Sequence, residues 1–344
     1  MTTTTKYILI GSLVIIALVA AGFAAFVLLG GSIEDIGDLM DGVTEPEPVV
    51  CPLTGLETTA SLERIVLAVA IDNVRQARPQ AGLDKADIVY EMLAEGGIPR
   101  FLALYYCADD SEDRIGPVRS ARTYFISVAR QFDAALAHAG GSPQALREIE
   151  ASRIQSLDQF KFGEAYFRDR SRRAPHNLYT STAQLREAAE KAGLSAPGRL
   201  EGLRFETPQS LGTEAHSIQI PYPTTRVSYE YAPATGDYAR LMDGAAHRDE
   251  VSGEQLTVKN VIVQFARHSV IDERGRLGID LVGTGDAIFF TGGRRIEGSW
   301  LRDSEFDAFR YEDAEGNPVT FVPGRSWVQI VRTGTSVTGG PPGN

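Results

Sequence analysis

From Tyr7 to Gly30 the chain carries no charged residue and is built mostly of Ile, Leu, Val, Ala and Phe. A helix over this run would be about 36 Å long, enough to cross a hydrocarbon core of roughly 30 Å. A secretory signal has a shorter apolar region of about 7–15 residues. Cleavage near Ala20–Gly22 would leave Phe23–Leu29 as an apolar start. The expectation is one uncleaved amino-terminal transmembrane helix over 7–30, after a cytoplasmic stub of residues 1–6. Lys6 precedes the span, whereas Glu34, Asp35, Asp38, Asp41, Glu45 and Glu47 follow it with no Lys or Arg among them. The positive-inside rule then puts everything beyond the span outside the cytoplasm, as a single-pass protein of the cell membrane.

Residues 31–50 read as an acidic linker with Pro46 and Pro48, and 333–344, rich in Gly, Pro and Thr, as a disordered tail. Between them lie two textures. Over 51–200, strand-like runs (65–71, 88–93, 101–107, 134–139) alternate with helix-like ones. The helical signals are Ser142-Pro143, which offers an N-cap and Pro at the first helical position, and the capping-box pair Ser181 and Gln184. Over 212–332 the helical pattern vanishes, leaving short strand candidates between turns such as Gly292-Gly293. The expected fold is an α/β (or α+β) amino-terminal domain, a mostly β carboxy-terminal domain and the transmembrane helix.

A net charge of −11 argues against a basic coat for nucleic acid, and no nucleic-acid partner is expected. Ser-x-x-Lys, His-Glu-x-x-His and the P-loop are all absent, and the dinucleotide fingerprint that Gly283-x-Gly285 begins is not completed. The five histidines are never three or four apart. Neither a cofactor nor a metal is expected. The two cysteines, Cys51 and Cys107, can pair after export or stand as separate thiols. Lipidation at Cys51 is not expected, because Pro48-Val49-Val50 precedes it far from the apolar run.

Polar clusters interrupt the apolar strands of the first region. They bring Asp72, Asn73, Arg78, Glu95 and Arg100, then Arg119 and Arg122, to strand ends or a helix start, where α/β folds place ligands. His138 with Gly140-Gly141-Ser142, and Arg168 leading to His176 and Asn177, continue the pattern. Arg119 and Arg122, three apart, suit bidentate grip on a carboxylate or phosphate. The turn ending at Ser142 offers backbone N–H groups to an anion. The alternative is a structural network pairing these arginines with Asp72, Glu91, Glu95 and Asp169. Trp300 and Trp327, on strands, suit core packing or a sugar-stacking face.

Several of these runs carry a resemblance. Cys51-Pro52-Leu53-Thr54-Gly55-Leu56, Ala86-Asp87-Ile88-Val89-Tyr90-Glu91, Gly116-Pro117-Val118-Arg119-Ser120-Ala121-Arg122 and Pro175-His176-Asn177-Leu178-Tyr179 resemble the YerB-like family of bacterial proteins named as lipoproteins. Gly298-x-Trp300 and Pro323-Gly324-x-Ser326-Trp327 are similar to its carboxy-terminal domain. The resemblance spans about 51–331 and implies a two-domain architecture and an envelope location, in a family of unknown function. Two functions are then expected as alternatives. One is a non-catalytic module binding an anionic cell-wall component or a wall-synthesis protein. The other is a hydrolase or transferase on an envelope glycan or peptide, with His138 or His176 as acid/base beside Asp72 or Glu95.

Overall fold

In a computed structural model of the chain, residues 49–341 are described apart from 109, 112, 153, 197–199 and 207–210. Apolar runs flanked by turns become strands buried on both faces, as interior strands of a covered sheet must be. The first half contributes β1 (Leu67–Ile71), β2 (Ile88–Leu93), β3 (Pro99–Tyr105), α1 (Thr123–Gln131), β4 (Ala135–His138), α2 (Pro143–Ser152), β5 (Ser156–Asp158) and α3 (Thr182–Lys191). Every residue of β1 and β2 is buried. The Ser181 Oγ accepts the Gln184 N–H at 3.2 Å, so α3 begins where its capping pair indicates.

The second half adds β6 (Thr213–Glu214), β7 (Ser217–Pro221), β8 (Arg226–Ala232), β9 (Asp237–Met242), β10 (Ala245–Ala246), β11 (Thr257–Val258) and β12 (Asn260–Ala266). There follow β13 (His268–Val270), β14 (Leu277–Ile279), β15 (Gly283–Thr291), β16 (Arg294–Arg302), β17 (Arg310–Asp313), β18 (Ser326–Arg332) and β19 (Thr338–Gly340).

An 11-stranded sheet runs in the order β6-β16-β15-β12-β18-β2-β3-β1-β4-β5, with β17 beside β16. The seam between the two halves is β18, parallel to β12 on one side and to β2 on the other. A six-stranded sheet, β10-β9-β8-β7-β19 with β11 beside β9, covers one face of it. There Arg240 of β9 meets Glu91 of β2, and Tyr222 and Tyr229 meet Gln329 of β18. Helix α1 covers the other face, with Phe132 against Tyr90 and the Arg302 guanidinium bonded to Ser127.

The expected fold class requires correction. The described residues are mostly strands, with three α-helices, and both halves feed one sheet. Strand β18, buried along all but its last residue, satisfies its backbone only by pairing on both edges, and one of those edges belongs to the first half. The expected transmembrane helix over 7–30 lies outside the described residues. Among the described residues no helix is long and apolar enough to cross a membrane, the longest having ten residues. The tail expected to be disordered contains β19, which pairs with Ser217–Gln219 and leaves Val337 buried.

Candidate functional site

Strands β1, β2 and β4 all finish at one end of the large sheet, and the loop from Gly116 to Arg122 is laid across that end. It is fastened there by Asp72 N–H to Pro117 O (2.9 Å), Arg119 N–H to Ala70 O (2.8 Å) and Ala121 N–H to Gly140 O (2.9 Å). Asp72 and Asn73 follow β1, Glu95 follows β2, and Arg100 lies near the start of β3 opposite Met92. Asp72, Glu95, Arg100, Arg119 and Arg122 therefore share one end of the sheet, outside the carboxyl ends of parallel strands β1 and β4.

Two carboxylates organise it. Asp72 is fully buried, and its Oδ2 meets Arg119 Nε at 2.9 Å and His176 Nδ1 at 2.7 Å. Its Oδ1 accepts the Asn73 N–H at 2.9 Å. Because a carboxylate faces Nδ1, that nitrogen carries the proton, and His176 Nε2 has no hydrogen-bond partner among the described residues. Asn73 Oδ1 accepts from Gln80 (2.9 Å) and from Arg78 (3.1 Å). Arg168 donates to Asn177, whose amide in turn holds the carbonyls of Asp169 and Arg172. Arg172 reaches the carbonyls of Ala77 and Pro79, tying the 168–177 loop to the 73–80 loop. Arg75, Arg170 and Arg173 on these loops are exposed, and their side chains have no partner among the described residues.

Glu95 is shared by three guanidiniums. Arg122 holds it at 2.6 Å, with Arg100 at 3.7 Å and Arg276, from the β13–β14 hairpin, at 3.8 Å. Burial works against its charge, but Arg122 and Arg100 outweigh that and hold the carboxyl below its ordinary range. Arg276 is also paired with Asp272 at 2.6 Å, and Arg100 Nη1 is buried with no hydrogen-bond partner among the described residues. Positive charge exceeds negative here.

Two of the expected site residues do other work. His138 is buried between Gly140 O (2.8 Å from Nδ1) and Ser156 Oγ (2.9 Å from Nε2). Ser142 Oγ accepts the Ala145 N–H at 3.1 Å, capping α2. Burial lowers the His138 pKa, and burial with the Arg240 charge lowers that of His247 further. Both bind a proton less readily when folded than when unfolded, where a histidine titrates near about 6.5. Their stabilisation is complete above that pH and is lost as pH falls from about 6.5 toward the folded values, by up to about 1.4 kcal/mol per pH unit for each group. Urea midpoints measured from pH 7 to 5.5 should fall accordingly, and His138→Gln should flatten the slope.

Sequence reasoning did not single out the buried continuation of this site. Gln80 Oε1 meets His247 Nε2 (2.8 Å), whose Nδ1 accepts from Arg240 (3.0 Å), and Arg240 pairs with Glu91 at 2.8 Å. The available signal was the alternation of β9, in which Tyr238, Arg240 and Met242 all point inward. Trp327 and Trp300 are both buried, Trp327 donating to Glu91 and Trp300 to Phe265 O.

At the other end of the sheet Cys51 and Cys107 form a disulfide. It borders a cleft of about 490 Å³ whose walls include Thr54, Lys85, Asp87, Lys259, Gly324 and Arg325.

The comparisons agree in both halves. Residues 53–195 match the profile described as the protein of unknown function (DUF3048) N-terminal domain, and residues 218–328 match its C-terminal domain. The chain is 35% identical over 287 residues to "Putative lipoprotein YerB" of Bacillus subtilis (strain 168), a match covering 81% of this chain and 85% of that one. The crystal structure of YerB protein from Bacillus subtilis superposes with a TM-score of 0.76 at 33% identity, covering 84% of this chain and 99% of that one.

Proposed function

We propose, from the premise that this chain belongs to the DUF3048 family and carries both of its domains in order, that it is an extracytoplasmic envelope protein binding an anionic cell-wall component non-catalytically. The location draws support from the relative's name, which calls it a lipoprotein, and from the disulfide, a bond that persists in oxidising compartments.

The observation that carries the binding reading is the Glu95 carboxylate facing Arg122, Arg100 and Arg276, of which Arg276 also has Asp272, with Arg100 Nη1 left buried and without a hydrogen-bond partner among the described residues. Guanidiniums in that arrangement can pass from the shared carboxylate to the oxygens of an incoming phosphate or carboxylate. Arg75, Arg170 and Arg173 extend the positive face over the adjoining loops, where a polymer can lie. Titration calorimetry with a soluble glycerol-phosphate polymer should show saturable binding that weakens as salt is raised. Arg100→Gln or Arg276→Gln should weaken it about tenfold or more. No saturable binding, or affinity unchanged in both variants, refutes the reading.

One observation favours an enzyme instead. Asp72 orients His176 with Nε2 directed away from it, as a carboxylate orients a general base. Wall fragments incubated with the protein would then give new products by mass spectrometry, and His176→Gln would abolish them while leaving binding intact.

A further inference from the structure

The cleft at the far end of the sheet lies where Cys51–Leu56, the residue before β2 and the residues after β3 meet. The disulfide lies along it, Cys107 being 8% exposed and Cys51 1%. Asp87 stands against both sulfurs, a carboxylate oxygen lying within 4.8 Å of each.

The two oxygens of Asp87 have different surroundings. Oδ2 accepts the N–H groups of Tyr106 (2.6 Å) and Cys107 (2.9 Å), fastening the chain as it leaves β3. Oδ1 has no hydrogen-bond partner among the described residues, so the crosslink's geometry does not use it. Burial raises this carboxyl above its ordinary range against the pull of those N–H groups and of Arg64 and Arg186, which favours a proton on it. On the walls, Arg325 has no side-chain partner among the described residues, and Lys85 has only Asp84 at 3.8 Å. Lys259 is held by Asp237, and Glu57 completes the charged groups around the opening. Lys85, Lys259 and Arg325 stand there among the carboxylates of Glu57, Asp84 and Asp237, so an arriving thiolate meets a wall of balanced charge.

We propose that Cys51–Cys107 is an exchangeable disulfide, that the cleft receives the thiol of an extracytoplasmic protein dithiol, and that Asp87 donates the proton to the departing sulfur. The partner thiolate attacks the Sγ of Cys107, the more exposed of the two residues. The S–S bond breaks, a mixed disulfide forms, and Cys51 Sγ leaves with the bonding pair and takes the Asp87 proton. The partner's second thiolate then attacks the partner sulfur of the mixed disulfide, and Cys107 leaves and is protonated from solvent. Asp87 is reprotonated from solvent. The partner dithiol is oxidised to a disulfide by two electrons, and this chain's disulfide is reduced to two thiols.

The test uses the purified full-length chain without denaturant and dithiothreitol as the dithiol, followed by alkylation and mass spectrometry. The expected result is two alkyl groups per chain, with reduction of Asp87→Asn at least tenfold slower and its circular dichroism unchanged. Cys51→Ser, which frees Cys107, should also react to completion with an aromatic disulfide in the native state. A disulfide that resists dithiothreitol until guanidinium unfolds the chain overturns the proposal. So does a wild-type rate matched by a folded Asp87→Asn. Should Asp87→Asn not fold, the native wild-type reduction and the Cys51→Ser reaction decide the matter.

Discussion

Arg240→Met should lower the free energy of unfolding by about 3–5 kcal/mol, because it leaves the Glu91 carboxylate buried without its cation. Glu91 and Arg240 are 0% and 1% exposed and lie 2.8 Å apart between the two sheets. Trp327 and Gln329 donate to the same carboxylate oxygen at 3.0 and 2.9 Å. The Arg240 guanidinium also lies 4.1 Å from the Trp327 ring centroid and donates to Tyr229. Burial disfavours its charge, yet Glu91 and Tyr229 together hold its pKa above the ordinary value. Removing both charges, as Glu91→Gln with Arg240→Met, should cost much less than the single change, since no ion is then stranded. A urea-denaturation cycle of the two single variants and the double gives the coupling directly. A loss below about 1 kcal/mol for Arg240→Met would refute the account.

Arg119→Ala with Arg122→Ala has a comparable expected effect, about 3–5 kcal/mol. Each arginine is the nearest guanidinium to a different carboxylate, Arg119 to Asp72 and Arg122 to Glu95. Asp72 would keep His176 and the Asn73 N–H, but its side chain has no access to solvent. The matched control is Arg170→Ala with Arg173→Ala, exposed residues without partners among the described residues, which should unfold at the wild-type denaturant concentration while weakening polymer binding. If the first pair were as neutral as the second, Asp72 and Glu95 would not depend on these arginines.

Individual elements were legible to different degrees. Strand β2 matches its sequence range of 88–93, because an apolar run bounded by Asp87 and Glu95 has little other way to be buried. Helix α3 begins directly after Ser181, where the capping pair places it, because the cap is a local contact. The placement of β18 was not legible. Its apolar run announces a strand but not a partner, and both of its neighbours are distant in sequence, β12 in the same half and β2 in the other.

The site divides in the same way. Composition and strand-end position marked Asp72, Glu95, Arg119 and Arg122, all of which gather at one end of the sheet. They equally marked His138, which the fold turns inward to Gly140 and Ser156, and offered no means of separating it from His176. The apolar strands, the helix starts and the surplus of arginine near strand ends were legible in the residues alone, since these depend on contacts a few positions apart. Which histidine meets Asp72, which arginine neutralises Glu91, and that one sheet serves both halves emerge only once the chain is folded. Those choices rest on contacts between residues about a hundred or more positions apart, such as Asp72 with His176 and Glu91 with Arg240. Each depends on side-chain direction and burial, which local pattern does not encode.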